Sequence, residues 1–123
     1  MFNLDLKDKV ILITGGSDGL GYASAELLSS EGAKVIICGR RGDYLNEKAK
    51  TISENTNNNV LAIQADVSKA EDCKRLVEET ISKFKKIDIL VNNAGASAAA
   101  LFEDVSDKNW EDDINLKLMS TIR

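Results

Sequence analysis

The stretch Val10-Ile-Leu-Ile-Thr-Gly-Gly-Ser-Asp-Gly-Leu-Gly21 joins an apolar, β-branched run to a glycine cluster and then to an amphipathic run from Tyr22. A strand, a tight turn and a helix N-terminus in immediate succession build an anion site. The first-turn N–H groups of a helix have no internal partner, and they point at whatever lies above them. Glycine serves there because a Cβ would keep a phosphate away from the backbone. Gly15, Gly19 and Gly21 are spaced G-x-x-x-G-x-G, which differs from the general dinucleotide spacing G-x-G-x-x-G. An unliganded strand-to-helix turn has the same composition.

Three further clusters carry groups suited to a nucleotide. Cys38-Gly39-Arg40-Arg41 has two guanidinium groups where a nicotinamide site often has a carboxylate for the ribose 2′-OH. Planar, bidentate cations suit a 2′-phosphate instead, which favours NADP over NAD. Two solvated loop arginines are the competing reading, and Asp18 in the glycine turn works against phosphate. Asp66-Val67 offers a carboxylate for an adenine amino group and an apolar contact for its ring; Asp66 equally suits a cap on the following turn. Asn92-Asn93-Ala94-Gly95 has short amides that tie strand ends together and small residues that leave room for a ribose. An ordinary Asn-rich turn reads the same way.

The elements that must position these clusters alternate along the chain. Val10–Thr14, Lys34–Cys38, Val60–Gln64 and Ile87–Val91 read as strands buried on both faces. Helices are expected from Leu20 to about Glu31 (Ala23, Leu27 and Leu28 on one side), from a cap at Asp43 through Leu45, Ala49 and Ile52, and from a Ser68–Glu71 capping box through Leu76, Val77, Ile81 and Phe84. A last helix runs from Ser106 or Asp107 to Arg123. Gly32 stops the first helix, and Asn55–Asn59 forms a polar loop. The order β-α-β-α-β-α-β-α predicts an α/β, doubly wound parallel sheet. Ligands of such sheets sit beyond the carboxyl ends of the strands. Thr14–Gly21, Gly39–Arg41, Ala65–Val67 and Asn92–Ala96 all fall on that rim.

The 123 residues fit one domain, and 43% hydrophobic content is ordinary for a soluble fold. A net charge of −4 argues against nucleic-acid and anionic-membrane surfaces. No apolar run approaches a membrane span and the first residues lack a signal-peptide layout, so a cytoplasmic location is expected. Cys38 and Cys73 read as reduced, packed thiols. Without histidine there is no imidazole base, and no metal site is expected.

In order and spacing, Thr14–Gly21, Asp66-Val67 and Asn92-Asn-Ala-Gly95 together resemble the short-chain dehydrogenase/reductase family over essentially the whole chain. The resemblance implies a Rossmann-type sheet and hydride transfer between NAD(P) and a carbonyl or alcohol. It implies that Gly15, Ser17, Asp18, Gly19, Leu20 and Gly21 line the pyrophosphate and ribose. Arg40, with Arg41, would meet the 2′-phosphate. Asp66 and Val67 would hold the adenine, and Asn93, Ala94 and Gly95 would flank the inner ribose.

The family's Ser and Tyr-x-x-x-Lys lie on the next strand and helix, beyond Arg123. The expectation is therefore residues 1–123 of a dinucleotide-binding domain, truncated before its catalytic segment and inactive alone. Tyr44 and Lys48 have the spacing but stand on the adenosine side, so the match reads as coincidence. The family's supporting Asn stands seven residues after a Trp, and counting from Trp110 selects Lys117 rather than Asn115. A polar-face lysine is the alternative. The resemblance further implies a homo-oligomer built on the last helix and a small-molecule substrate, of whose pocket only Ser97–Phe102 is visible. A non-catalytic dinucleotide-binding or structural association module is the other function class in play.

Overall fold

The computed structural model describes residues 3–97 and 99–123; Ala98, within the expected substrate segment, lies outside the described residues. Four parallel strands form one sheet: β1 (Val10–Thr14), β2 (Lys34–Gly39), β3 (Leu61–Gln64) and β4 (Ile89–Val91). Their order is β3-β2-β1-β4, so the direction of winding reverses beside β1. Helices α1 (Gly19–Ser30), α2 (Gly42–Thr56) and α3 (Ala70–Phe84) connect them. The last segment is α4 (Asp107–Ile114), a π turn over Asn115–Met119 and a short α5 (Ser120–Ile122).

The strand period of two sorts the core into two layers. Ile11, Ile13, Val35 and Ile37 face one side, where they pack with Ala25, Leu45, Ala49 and Ile52 from α1 and α2. Val10, Leu12, Ile36 and Cys38 face the other, against Cys73 and Leu76 of α3, with Leu116 of the π turn at the edge. Burying each large aliphatic chain contributes about 1.5–3 kcal/mol. This two-sided burial is why β1 and β2 read as unbroken apolar runs.

Several boundaries differ from the sequence expectation, each for a local reason. Ala23 and Leu27 do not form the inner face of α1. Leu27 is 63% exposed, and the buried face is Gly21, Ala25 and Ser29, small residues that let the helix approach the sheet closely. On α3 the inner face is Cys73, Leu76 and Thr80, while Val77 and Ile81 stand partly in solvent. Ser68 does not cap α3. Its N–H and hydroxyl both bond Asp66 Oδ1, at 3.0 and 2.6 Å, so the turn closes backwards and Lys69 becomes the cap position. Asp72, not Glu71, reaches back, accepting from Asp66 N–H at 2.7 Å. Asp43 lies in the first turn of α2 rather than before it, and α2 runs on through Asn55 to a left-handed Asn57. Gly32, with φ +86°, does follow the end of α1. Ser106 caps α4, its hydroxyl accepting from Asn109 N–H at 3.2 Å.

The strand expected from Ile87 begins at Ile89, because Asp88 is spent on tying β4 to β1. Asp88 N–H donates to Val10 O at 2.9 Å, and Val10 N–H donates to Asp88 Oδ2 at 2.8 Å. The Val10 bond and the Lys86 ammonium hold this carboxyl below the ordinary aspartate value. A lowered native pKa means that the stabilisation is complete above the unfolded value of about 3.9 and is lost as pH falls through the native one. The Asp88→Asn variant should therefore unfold more readily than wild type at neutral pH, with the gap closing below about pH 4; urea midpoints across that range check it.

β4 is an edge strand, with Leu90 50% exposed. Among the described residues no helix is long and apolar enough to cross a membrane.

Candidate functional site

The carboxyl ends of all four strands open into a cleft of about 300 Å³. Its floor is the turn from Gly15 to Gly19, with Asn93, Ala94 and Gly95 on the β4 side. On the other side stand Gly39, Arg40 and Arg41 after β2, and Ala65, Asp66 and Val67 after β3. Cys38 and Leu116 complete the lining. Neither is among the residues that the sequence motifs point to. Cys38 follows from strand alternation, whereas Leu116 depends on the path of the last helix, which no local pattern announces.

The glycine turn is held from below. Thr14 Oγ1 accepts from Asn93 N–H and Ala94 N–H, both at 3.0 Å, and Asn93 Nδ2 donates to Gly15 O at 3.0 Å. These bonds tie the end of β1 to the segment that follows β4, at the switch point. Gly15 has φ +67°, and a Cβ there would stand 2.9 Å from Ala94 Cα. At Gly21 a Cβ would overlap Gly15 O and Asn93 Nδ2. Gly21 is thus a packing glycine buried beneath the turn, outside the cleft lining, whereas Gly19 (φ +55°) faces open space. Leu20 is 82% exposed and is also outside the lining. Replacing Thr14 with Val orphans two part-buried N–H groups; a loss of about 1–3 kcal/mol in chemical denaturation is expected.

The N-terminus of α1 meets the cleft with no side chain capping it and no acid in its first turn. Asp18 is the N-cap residue, but its carboxylate turns outward. Oδ2 accepts from Arg41 at 2.8 Å and Oδ1 from the Tyr44 hydroxyl. The Tyr44 bond, with Arg41 beside it, holds the Asp18 carboxyl below its ordinary value against the opposing effect of burial. The Arg41 guanidinium lies 4.2 Å over the Tyr44 ring, and Lys48 Nζ lies 5.1 Å from the same ring centre. Tyr44 and Lys48 thus lie outside the cleft lining, with Tyr44 against Asp18 and Arg41, which do line it. Arg40 is in none of the ion pairs among the described residues.

At Asp66, burial pushes the carboxyl up, but the two Ser68 bonds, with Lys69 and Arg40 nearby, bring it below its ordinary value. Its Oδ1 closes the turn, so the carboxylate both caps locally and lines the cleft. Burial pushes the Cys38 thiol up to about 11, which makes it a neutral, inert wall at physiological pH. Lys117 does not line the cleft. Its ammonium pairs with Asp113 Oδ1 at 2.7 Å on the exposed side of the π turn, next to Leu116, which does line it.

A closed, glycine-lined turn against an uncapped helix N-terminus leaves room and donors for a diphosphate. Comparison with known proteins decides the lineage, because the short chain dehydrogenase family model matches residues 9–123. The chain belongs to the short-chain dehydrogenase family. Among curated relatives, 11-beta-hydroxysteroid dehydrogenase 1A of Arabidopsis thaliana is 41% identical over 107 residues, covering 87% of this chain and 31% of that protein. Among solved structures, L-sorbose reductase of Gluconobacter frateurii, complexed with NADPH and L-sorbose, superposes with a TM-score of 0.95 at 34% identity. That match covers 98% of this chain and 46% of the reductase. The 3-ketoacyl-(acyl-carrier-protein) reductase of Brucella melitensis, complexed with NADH, gives 0.87 at 35% identity over 95% of this chain and 47% of that one. This short-chain dehydrogenase chain thus spans about a third to a half of the length of these relatives.

Proposed function

We propose that this chain is the dinucleotide-binding half of an oxidoreductase that moves hydride between NADP(H) and a small carbonyl or alcohol. One observation carries the reading: an uncapped helix N-terminus faces a turn with glycine at positions 15, 16 and 19, pinned to the segment after β4, inside a cleft open at all four strand ends. Gly15, Ser17 and Gly19 would lie along the pyrophosphate, with Gly21 supporting the turn from beneath and Leu20 at its outer lip. Asp66 and Val67 would hold the adenine, and Asn93, Ala94 and Gly95 the inner ribose. When bound, the nicotinamide supplies or accepts the hydride. This chain's residues bind and orient the dinucleotide.

Arginines rather than an acid at the two positions directly after β2, together with an Arg40 that is in no ion pair among the described residues, support NADP over NAD. The solved relatives include both an NADPH and an NADH complex, so the family itself leaves the choice to such local residues. Lys117 supports a proton-relay role only in a state where its pair with Asp113 is open. Among the described residues the cleft lining contains neither a tyrosine nor a serine besides Ser17, so the chain alone should bind without turning over substrate. Calorimetry tests this: saturable NADPH binding, tighter than NADH, without carbonyl-dependent NADPH oxidation is the expected result. A folded chain that binds neither dinucleotide overturns it. Assembly into a homo-oligomer and a cytoplasmic location are part of the same proposal. Size-exclusion chromatography checks the assembly.

A further inference from the structure

Asp18 sits within reach of the group that a 2′-phosphate needs. Its two carboxylate oxygens are both engaged, one by Arg41 and the other by the Tyr44 hydroxyl. Arg41 also lies 4.2 Å over the Tyr44 ring, whose other cationic neighbour is Lys48. Lys48 also lies 5.2 Å from the Tyr22 ring centre, and the Tyr22 hydroxyl reaches Glu26 at 3.5 Å. The Tyr-Lys pair of α2 is thus the centre of a surface ladder that ends at the glycine turn. Arg40 and Arg41 are adjacent in sequence but differ in their partners: Arg41 is paired with Asp18 and lies over the Tyr44 ring, and Arg40 carries no ion pair among the described residues.

We propose that Asp18 is a resident competitor of the cofactor's 2′-phosphate for Arg41, held in place by Tyr44, so that phosphate selectivity rests on Arg40 and is set below what two arginines would give. This deepens the dinucleotide reading and rests on it. The physics is that of one cation between two anions. A guanidinium already bonded to a carboxylate offers less field to a second anion, and the carboxylate itself repels that anion. The pair is solvent-exposed, with side-chain exposures of 66% and 56%, so the effect is a tuning of selectivity and not a switch. Tyr44 acts through Asp18 and Arg41 and is a positioning residue. Its ring lies under the guanidinium, and its hydroxyl donates to the carboxylate.

The test measures the affinities of adenosine 2′,5′-bisphosphate and AMP by calorimetry and takes their ratio, which isolates the 2′-phosphate. Asp18→Asn keeps the size and the N-cap preference of the residue, so the turn should fold. Its ratio should rise about fivefold to tenfold in favour of the bisphosphate. Tyr44→Phe keeps the stacking ring and removes the hydroxyl, and should raise the ratio by a smaller factor. Arg41→Met should change the ratio less than about twofold in the wild-type background yet abolish the gain in the Asp18→Asn background. An unchanged or lowered ratio in Asp18→Asn, or equal effects of Arg41→Met in both backgrounds, overturns the proposal. Failure of the wild-type chain to bind either nucleotide overturns the dinucleotide reading itself, which is a different outcome from binding with an unmoved ratio.

Discussion

Gly21→Ala is expected to cost more than alanine at any other glycine of the turn, at least about 3 kcal/mol of stability, and to remove dinucleotide binding. The added Cβ would overlap the carbonyl oxygen of Gly15 and the amide of Asn93. Neither can swing away cheaply. The carbonyl is backbone in a turn already at φ +67°, and the Asn93 amide is the group that bonds that same carbonyl. Relief would have to come from lifting α1 off the turn, which moves its N-terminus away from the cleft. Gly19→Ala provides the contrast. A Cβ there meets nothing within 4 Å, so only the left-handed φ of +55° is penalised, at about 1–2 kcal/mol. Urea midpoints and NADPH affinities for the two variants check the ordering. Equal and small losses at both positions would show that the turn is not packed as described.

Arg40→Asp is expected to weaken NADP binding about 100-fold and to leave NAD binding within about threefold. A charge-assisted bond contributes about 1.5–3 kcal/mol, and the new carboxylate adds repulsion toward the phosphate. The same carboxylate suits the ribose 2′-OH of NAD, which offsets any loss there. Paired titrations of the variant with NADP and NAD check it. A parallel loss for both cofactors would mean that Arg40 supports the fold of the β2 turn, where its carbonyl accepts from Gln64 Nε2 at 2.9 Å, and does not read the phosphate.

The sheet was legible because its strands are covered on both faces and therefore spell continuous apolar runs, bounded by glycine and polar turns. The rim followed from topology, since parallel strands put all their carboxyl ends on one side. Helix faces were read less well. On α1, small residues pack inward and Leu27 turns out, so hydrophobicity alone misplaces the contact; Gly21, Ala25 and Ser29 form it because the glycine turn demands close approach. The start of α3 was misplaced because Asp66 and Asp72 compete for the roles that Ser68 and Glu71 would take, and a two-residue side-chain turn wins over a capping box. The Tyr44–Asp18–Arg41 cluster was invisible because its members come from two elements that meet only once α2 folds back over the glycine turn.

The most direct measurement is the amide nuclear magnetic resonance spectrum of the isotopically labelled chain during titration with NADPH. The account predicts saturable shifts concentrated at Gly15, Ser17, Gly19, Asp66, Val67, Asn93 and Ala94, with the far ends of α1 and α3 unmoved. Shifts confined to other surfaces, or no shifts from a spectrum that is dispersed and therefore folded, would contradict the assignment of the strand-end cleft as the nucleotide site.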